Sequence, residues 1–179
     1  VGFASTAPLP DAEFLRDWLA AGFAGGMRYL QRTPPRRTHP TDLLEGAATA
    51  IVVLARYSAA PREAHPLGHG VVARYARGRD YHHVFRERLI MLADWIAQRA
   101  GPAHQRSLAC TDEAPLLEKA IAARAGLGFI GKNTLLVTPG IGSYTLLGVL
   151  LTTLELPPND ASTAASCGEC SLCIKACPT

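Results

Sequence analysis

Ala123-Arg124-Ala125-Gly126-Leu127-Gly128-Phe129-Ile130-Gly131-Lys132-Asn133-Thr134 contains, letter for letter, a G-x-G-x-x-G run at 126–131 and a near-Walker G-x4-G-K run at 126–132. Either motif would make the chain a nucleotide-binding fold, because both need a strand before the glycines and a helix after them. Here the order is reversed. Residues 115–125 read as a helix that Gly126 closes, and residues 134–137 read as a strand. Asn133 also stands where a Walker loop needs a hydroxyl for magnesium. The nucleotide readings fail, and the glycines become a helix stop followed by a close backbone approach to some bound group.

Outward from that stretch the chain alternates helices and strands. Upstream, residues 50–55 form a continuous β-branched apolar run, the mark of a strand buried on both faces. Asp80 is placed to cap a long helix, Tyr81–Ala100, with Phe85, Leu89, Leu92 and Ile96 as its core stripe and Gly101-Pro102 as its stop. Residues 11–21 read as an amphipathic helix with Phe14, Leu15, Trp18 and Leu19 on one face, and Gly22 ends it. Residues 27–30 make a short turn, and Thr41-Asp42 begins another that ends at Gly46. The basic, proline-broken stretch 32–40 and the Pro/His/Gly-rich stretch 58–70 read as irregular. Ser107–Cys110 is a short strand, and strands 134–137 and 144–151 are joined by a turn at 139–142. Residues 157–166 are a linker. The expected class is α+β, a mixed or antiparallel sheet covered by helices.

A second stretch carries chemistry. Ser166-Cys167-Gly168-Glu169-Cys170-Ser171-Leu172-Cys173-Ile174-Lys175-Ala176-Cys177-Pro178-Thr179 has the spacing C-x2-C-x2-C-x3-C-P of the bacterial ferredoxin run. Soft thiolates suit iron–sulfur or zinc. Zinc sites come as two pairs across a longer loop, so the crowding here favours iron–sulfur. In two-cluster ferredoxins the cysteine before the proline serves the other cluster. By that rule Cys167, Cys170 and Cys173 hold one cluster and Cys177 a second, whose partner motif is not in these residues. The chain is therefore read as a truncated portion.

Composition sets the outer limits. The 179 residues are 48% hydrophobic and 18% charged, which suits one globular domain plus the beginning of another. A net charge of +3 is too small to establish a nucleic-acid partner. Arginine outnumbers lysine fifteen to three. Phosphate gripping and a high-GC genome explain that equally well. No signal peptide or membrane span is visible, and four of five cysteines crowd the last thirteen residues, so a reducing, cytoplasmic compartment is expected.

Thr111-Asp112-Glu113-Ala114-Pro115 precedes the 115–125 helix, and Asp112 has two open readings. It is the helix N-cap, or it is a carboxyl in apolar surroundings whose raised pKa makes it a proton donor near neutral pH. The histidines show no metal spacing; His82 and His83 lie on adjacent helix faces. Cys110 reads as a small buried hydrophobe. Arg74-Tyr75-Ala76-Arg77-Gly78-Arg79-Asp80-Tyr81 interleaves cations with aromatics, which favours a clasp for an anionic planar ligand over a solvated basic loop.

In their order along the chain these segments resemble epoxyqueuosine reductase. The matching pieces are residues 26–30, 36–40, 74–82, 111–118, 123–134 and 142–144, with the cysteine run closing the series. The resemblance implies a nitroreductase-like cobalamin-binding domain at 1–157 and the start of a ferredoxin-like iron–sulfur module at 158–179. It implies reduction of the epoxide of epoxyqueuosine in a tRNA anticodon loop, with cobalamin and two [4Fe-4S] clusters. The implied external electron donor is a flavodoxin or ferredoxin. The family's proton-donating Asp falls on Asp112. Its cobalamin contacts fall on Tyr75, Arg77, Gly78, Tyr81, His82, Lys132, Asn133, Thr134, Gly142 and Ser143. The four cysteines would be cluster ligands, and Arg28, Arg32, Arg36 and Arg37 would meet anticodon phosphates. The family's second cysteine motif and C-terminal helical repeats are absent from these residues, so full activity is not expected of them alone. A reductive dehalogenase-like enzyme, working on a small molecule with the same cofactors, is the rival reading. A ferredoxin-type electron carrier would not need so large a domain before its cysteines.

Overall fold

The apolar run at 50–55 becomes the centre of the structure. In the computed structural model, which describes residues 1–57, 68–101, 105–159 and 164–178, it forms β2 (Thr49–Arg56). This strand pairs antiparallel on one side with β1 (Gly2–Ser5) and on the other with β6 (Thr145–Thr152). A further strand, β3 (Ser107–Cys110), joins the far side of β6, giving the order β1-β2-β6-β3. Every pairing among the described residues is antiparallel, which decides between the mixed and antiparallel sheets the sequence left open.

Alternation along the central strands divides the core into two layers, because successive side chains point to opposite faces. Ala50 and Val52 sit with Val149 and Leu151 on one face, where Leu116, Ile121, Ala122 and Ala125 cover them. Ile51 and Leu150 sit on the other face with Leu89 and Ile96. The first cover comes from α5 (Glu118–Arg124), the second from α4 (Tyr81–Ala100). The sheet is thus a filled layer between two helices, each burying one apolar stripe. Gly148 lets α4 approach closely, since a Cβ there would lie 2.6 Å from the Phe85 ring and 3.2 Å from Leu89. After β6 the chain returns to β1, where the Asn159 N–H donates to the Phe3 carbonyl at 2.9 Å and the Asn159 side chain accepts from the Phe3 N–H.

Several expectations change. The proline-broken stretch is helical: α2 (Arg28–Arg32) is followed by α3 (Pro34–Thr38) and a 3-10 turn, Pro40–Asp42. Pro34 and Pro35 occupy the first turn of α3, where backbone N–H groups have no intrahelical acceptor to lose. Helix α1 (Ala12–Ala20) buries none of its residues, and Phe14 is exposed. Leu15, Trp18 and Leu19, on the same apolar face, are half-buried. The strand expected at 134–137 is only β5 (Leu136–Val137), and it pairs with β4 (Phe129–Ile130) in a small second sheet. Residues 139–142 therefore connect two different sheets. Leu92 is partly buried, whereas the other three residues of its predicted stripe are fully buried.

Asp80 caps α4 as expected, and Gly101 follows it with φ 85°. Pro102, most of the 58–70 stretch, residues 160–163 of the predicted linker and Thr179 lie outside the described residues. Among the described residues no helix is long and apolar enough to cross a membrane.

Candidate active site

The N-terminus of α4 builds one half of the site. The Asp80 carboxylate accepts the backbone N–H of His82 at 2.9 Å and lies 2.7 Å from its ring Nδ1, so a single cap fixes both the helix start and the imidazole. The Tyr81 ring stacks on His82 with centroids 4.0 Å apart and meets Tyr75 edge-on. The other half is the turn after β3, closed by the Ala114 N–H bonding to the Thr111 carbonyl at 2.7 Å. That turn holds out Asp112. Tyr81 Oη donates to Asp112 Oδ2 at 3.1 Å, and His82 Nε2 lies 3.7 Å from the same oxygen. His82 thus stands between two carboxylates.

Electrostatics follow from these contacts. The hydrogen bond that the His82 ring donates to Asp80 raises the His82 pKa, and the same bond holds Asp80 below the usual carboxylate range. Burial, then the neighbouring Asp112 charge, push the Tyr81 phenol well up. The Asp112 side chain is 70% exposed and bonded to a phenol, so the apolar surroundings expected for it are not there. Nor is it a helix cap, because α5 begins at Glu118 with Leu117 in the cap position.

A half-buried carboxyl on the same side belongs to Glu118, which sequence reasoning passed over. Its Oε1 is buried with no hydrogen-bond partner. Burial, helped by the Asp112 charge, pushes its pKa up to about 7 against the opposing pull of its own backbone N–H, Arg37 and Lys119. The available signal was an acidic residue ending the apolar run Pro115-Leu116-Leu117-Glu118. Cys110, by contrast, is buried as expected, and burial pushes its thiol up to about 12.

These groups line one open cavity of about 380 Å³. Tyr57, Tyr75 and Tyr81 supply flat faces, and Leu135, Leu146 and Leu147 supply apolar surface. His82, Asp112, Glu118, Lys119, Ser143 and Thr145 supply polar groups. Such a wall suits a large planar group fringed with polar substituents. A roomier groove of about 450 Å³ lies by α4 and the start of β1, but it is almost wholly apolar, with Arg99 its single charged side chain, so it offers no set of reacting groups.

Of the predicted cofactor contacts, Tyr75, Tyr81, His82 and Ser143 therefore meet Asp112 on one wall. Arg77, Gly78, Lys132, Asn133, Thr134 and Gly142 are not on it. Arg77 Nε donates to the Val72 carbonyl at 2.9 Å, and Arg74 lies over the Tyr144 ring at 5.2 Å. Gly142 pairs with Thr138. Thr134 takes a left-handed φ of 62°, and its carbonyl accepts from Lys119 Nζ at 2.7 Å.

The glycine segment does make close approaches, but to the protein's own chain. A Cβ on Gly128 would collide with the Val137 carbonyl. One on Gly131 would fall 2.8 Å from Asn133 Oδ1, 3.0 Å from Val137 Cγ2 and 3.6 Å from Cys167 Sγ. Lys132 turns to the cysteine run: its N–H lies 3.5 Å from Cys167 Sγ, and Nζ donates to the Gly168 carbonyl at 2.8 Å. The cysteines are joined by no disulfide. Cys167 is partly buried, while Cys170, Cys173 and Cys177 are exposed around α6 (Leu172–Lys175). Among the described residues no three His, Cys, Asp or Glu side chains gather within reach of one metal ion. The donor set itself, four unoxidised thiols on one short segment, is chemically right for a soft metal cluster.

A family model described as "Epoxyqueuosine reductase QueG, DUF1730" matches residues 37–112. An epoxyqueuosine reductase of Gloeobacter violaceus is 45% identical over 168 residues, which is 94% of this chain and 51% of that protein. The structure of epoxyqueuosine reductase from Streptococcus thermophilus superimposes with a TM-score of 0.89 at 32% identity, covering 99% of this chain and 48% of that one. A crystal structure of epoxyqueuosine reductase with an epoxyqueuosine-modified tRNA-Tyr stem loop gives 0.86 at 30% identity, with 99% and 47% covered. The chain spans about half the length of these relatives. In sequence and in fold, over that half, the chain belongs to the epoxyqueuosine reductase family.

Proposed function

We propose that this chain supplies the reductase domain of an epoxyqueuosine reductase and reduces the epoxide of epoxyqueuosine in a tRNA anticodon loop. The observation that carries the reading is Asp112, presented to an aromatic-walled cavity by Tyr81 and His82. The tRNA stem loop bound to a relative of the same fold supports the substrate. In this reading residues 1–157 are a nitroreductase-like cobalamin domain, and residues 158–179 begin a ferredoxin-type module. Cys167, Cys170 and Cys173 would hold one [4Fe-4S] cluster and Cys177 a second, with a flavodoxin or ferredoxin as the external electron donor.

When bound, cobalamin would supply a low-potential, soft metal centre suited to opening a strained C–O bond, and clusters on the cysteine run would supply electrons. The protein's share is placement and protonation. Tyr75, Tyr81 and the cavity leucines bind a flat ring, while Ser143 and Thr145 meet its polar fringe. Opening the epoxide puts negative charge on oxygen, and Asp112 delivers a proton to that oxygen from its exposed Oδ. Tyr81, through its hydrogen bond, holds the carboxyl on line. Lys132 seats the first cysteine against the domain. The exposed Arg28, Arg32 and Arg36 position anticodon phosphates, which fix register without reading sequence.

Asp112→Asn tests this. Because the side chain is exposed and caps nothing, the variant should fold and take up cobalamin as the unsubstituted protein does. Its turnover on an epoxyqueuosine-bearing anticodon stem loop should fall by about 10²- to 10⁴-fold, the usual worth of a general acid. Undiminished turnover, or protein that takes up no cobalt after anaerobic loading, would defeat the proposal.

A further inference from the structure

The resemblance assigns Lys132 to the cofactor of the cavity, but its contacts run the other way, to the first cysteine. We propose that Lys132 sets the reduction potential of the cluster held by Cys167, its backbone N–H and its ammonium both stabilising the reduced form. The inference rests on the reading of the cysteine run as a cluster-binding segment. Lys132 acts through Cys167 and not on the substrate, so it is a positioning residue.

The turn that carries Lys132 is held by its own bonds. The Thr134 N–H donates to the Gly131 carbonyl at 2.8 Å, and the Gly131 N–H to the Leu135 carbonyl at 2.9 Å. The Leu135 N–H donates to Asn133 Oδ1 at 3.2 Å. Thr134 keeps its left-handed φ of 62° there, a conformation that a residue with a Cβ adopts only where its surroundings impose it. So held, the turn presents the Lys132 N–H to Cys167 Sγ at 3.5 Å. Nζ of the same residue reaches the Gly168 carbonyl at 2.8 Å, in the loop between the first two cysteines. Cys167 is partly buried, whereas Cys170, Cys173 and Cys177 are exposed, so the first cysteine is the one this domain grips. At its other end the turn meets the cavity wall, because the Thr134 carbonyl accepts from Lys119 Nζ at 2.7 Å and Lys119 lines the cavity. Residues 132–134 thus join the cysteine run to the candidate active site.

Charge gives the direction of the effect. An electron leaving the external donor oxidises that donor and adds one negative charge to a [4Fe-4S] cluster, with no proton moved. Hydrogen bonds to the sulfurs and nearby net charge tune such potentials. An N–H donating to the Cys167 sulfur and a cation on the adjoining loop both favour the added charge, so both raise the potential. The charged side chains of the segment itself, Glu169 and Lys175, are of opposite sign. Among the described residues no carboxylate forms an ion pair with Lys132, so its charge is not cancelled.

Potentiometry followed by electron paramagnetic resonance, on full-length protein reconstituted anaerobically with iron and sulfide, should give a series ordered by charge. Lys132→Gln should lower the midpoint by the equivalent of about tenfold in the one-electron equilibrium, about 59 mV. Lys132→Glu should lower it further, and Lys132→Arg should leave it close to the unsubstituted value. Because the Lys132 side chain is exposed, high salt should shrink these differences. A residue that only tethered the segment would change iron content without ordering the potentials by charge. Pulsed resonance spectra of the reduced, otherwise unsubstituted protein, labelled with nitrogen-15 lysine, should show an amide nitrogen coupled to the cluster, and Lys132→Arg should lose it. Absence of that coupling, or its survival in Lys132→Arg, overturns the proposal even where another variant fails to load. Equal midpoints across the loaded series also overturn it. Protein that takes up no iron and sulfide would overturn the reading of the cysteine run together with this proposal.

Discussion

Asp112 and Glu118 are six residues apart, share one cavity, and differ in what surrounds them. Asp112 is open to solvent with a phenol bonded to it, whereas Glu118 is half-buried, with one oxygen enclosed and unpaired. The enclosed group makes stability depend on pH. Its pKa is raised in the folded state, so the unfolded chain gives up the proton first as pH rises. Stability is then fully present below the ordinary glutamate value of 4.5 and is lost as pH climbs through about 7. A tenfold difference in proton affinity between the two states corresponds to about 1.4 kcal/mol, which puts the loss at about 3 kcal/mol. Urea midpoints taken at pH 4.5 and pH 8 should show it, and Glu118→Gln should flatten that part of the profile. At this scale the sequence was informative about identity and silent about enclosure. Asp112, Tyr81, His82 and Ser143 could be named from motif positions. Which carboxyl is buried depends on Leu116, Ile121 and the sheet converging from distant parts of the chain.

Among the elements, α4 and β2 were the most legible, because their signals are local. One has a capping Asp80 and a long apolar stripe, and the other an unbroken β-branched run. For α1 the helix was legible and the depth of its burial was not. Amphipathic spacing shows that a helix has an apolar side, not that this domain covers it. The prolines at 34–35 misled because their effect depends on position in the helix, and here they begin one. The contact between α4 and β6 was not legible at all, since nothing local marks Gly148 as the point where a helix rests on the sheet. Adding a methyl there should force the Phe85 ring aside. Gly148→Ala is expected to cost about 1–3 kcal/mol, measured as a lowered urea midpoint with an unchanged slope.

Over the whole molecule, the fold brings residues spread between 57 and 147 to one cavity, and Lys132, between β4 and β5, holds the cysteine segment beside the domain. Antiparallel order also leaves β1 outermost, and an outermost strand ordinarily offers unpaired amides and carbonyls to any passing chain. Asn159 closes that opening at Phe3, satisfying the N–H with its side chain and the carbonyl with its backbone, as a one-residue strand would. Asn159→Ala should cost only about 1 kcal/mol of stability. Its larger effect should be concentration-dependent self-association, seen as a rise in light-scattering mass that the unsubstituted protein does not show. A single asparagine would then serve as a guard against aggregation, a duty distinct from catalysis and invisible to any assay of turnover.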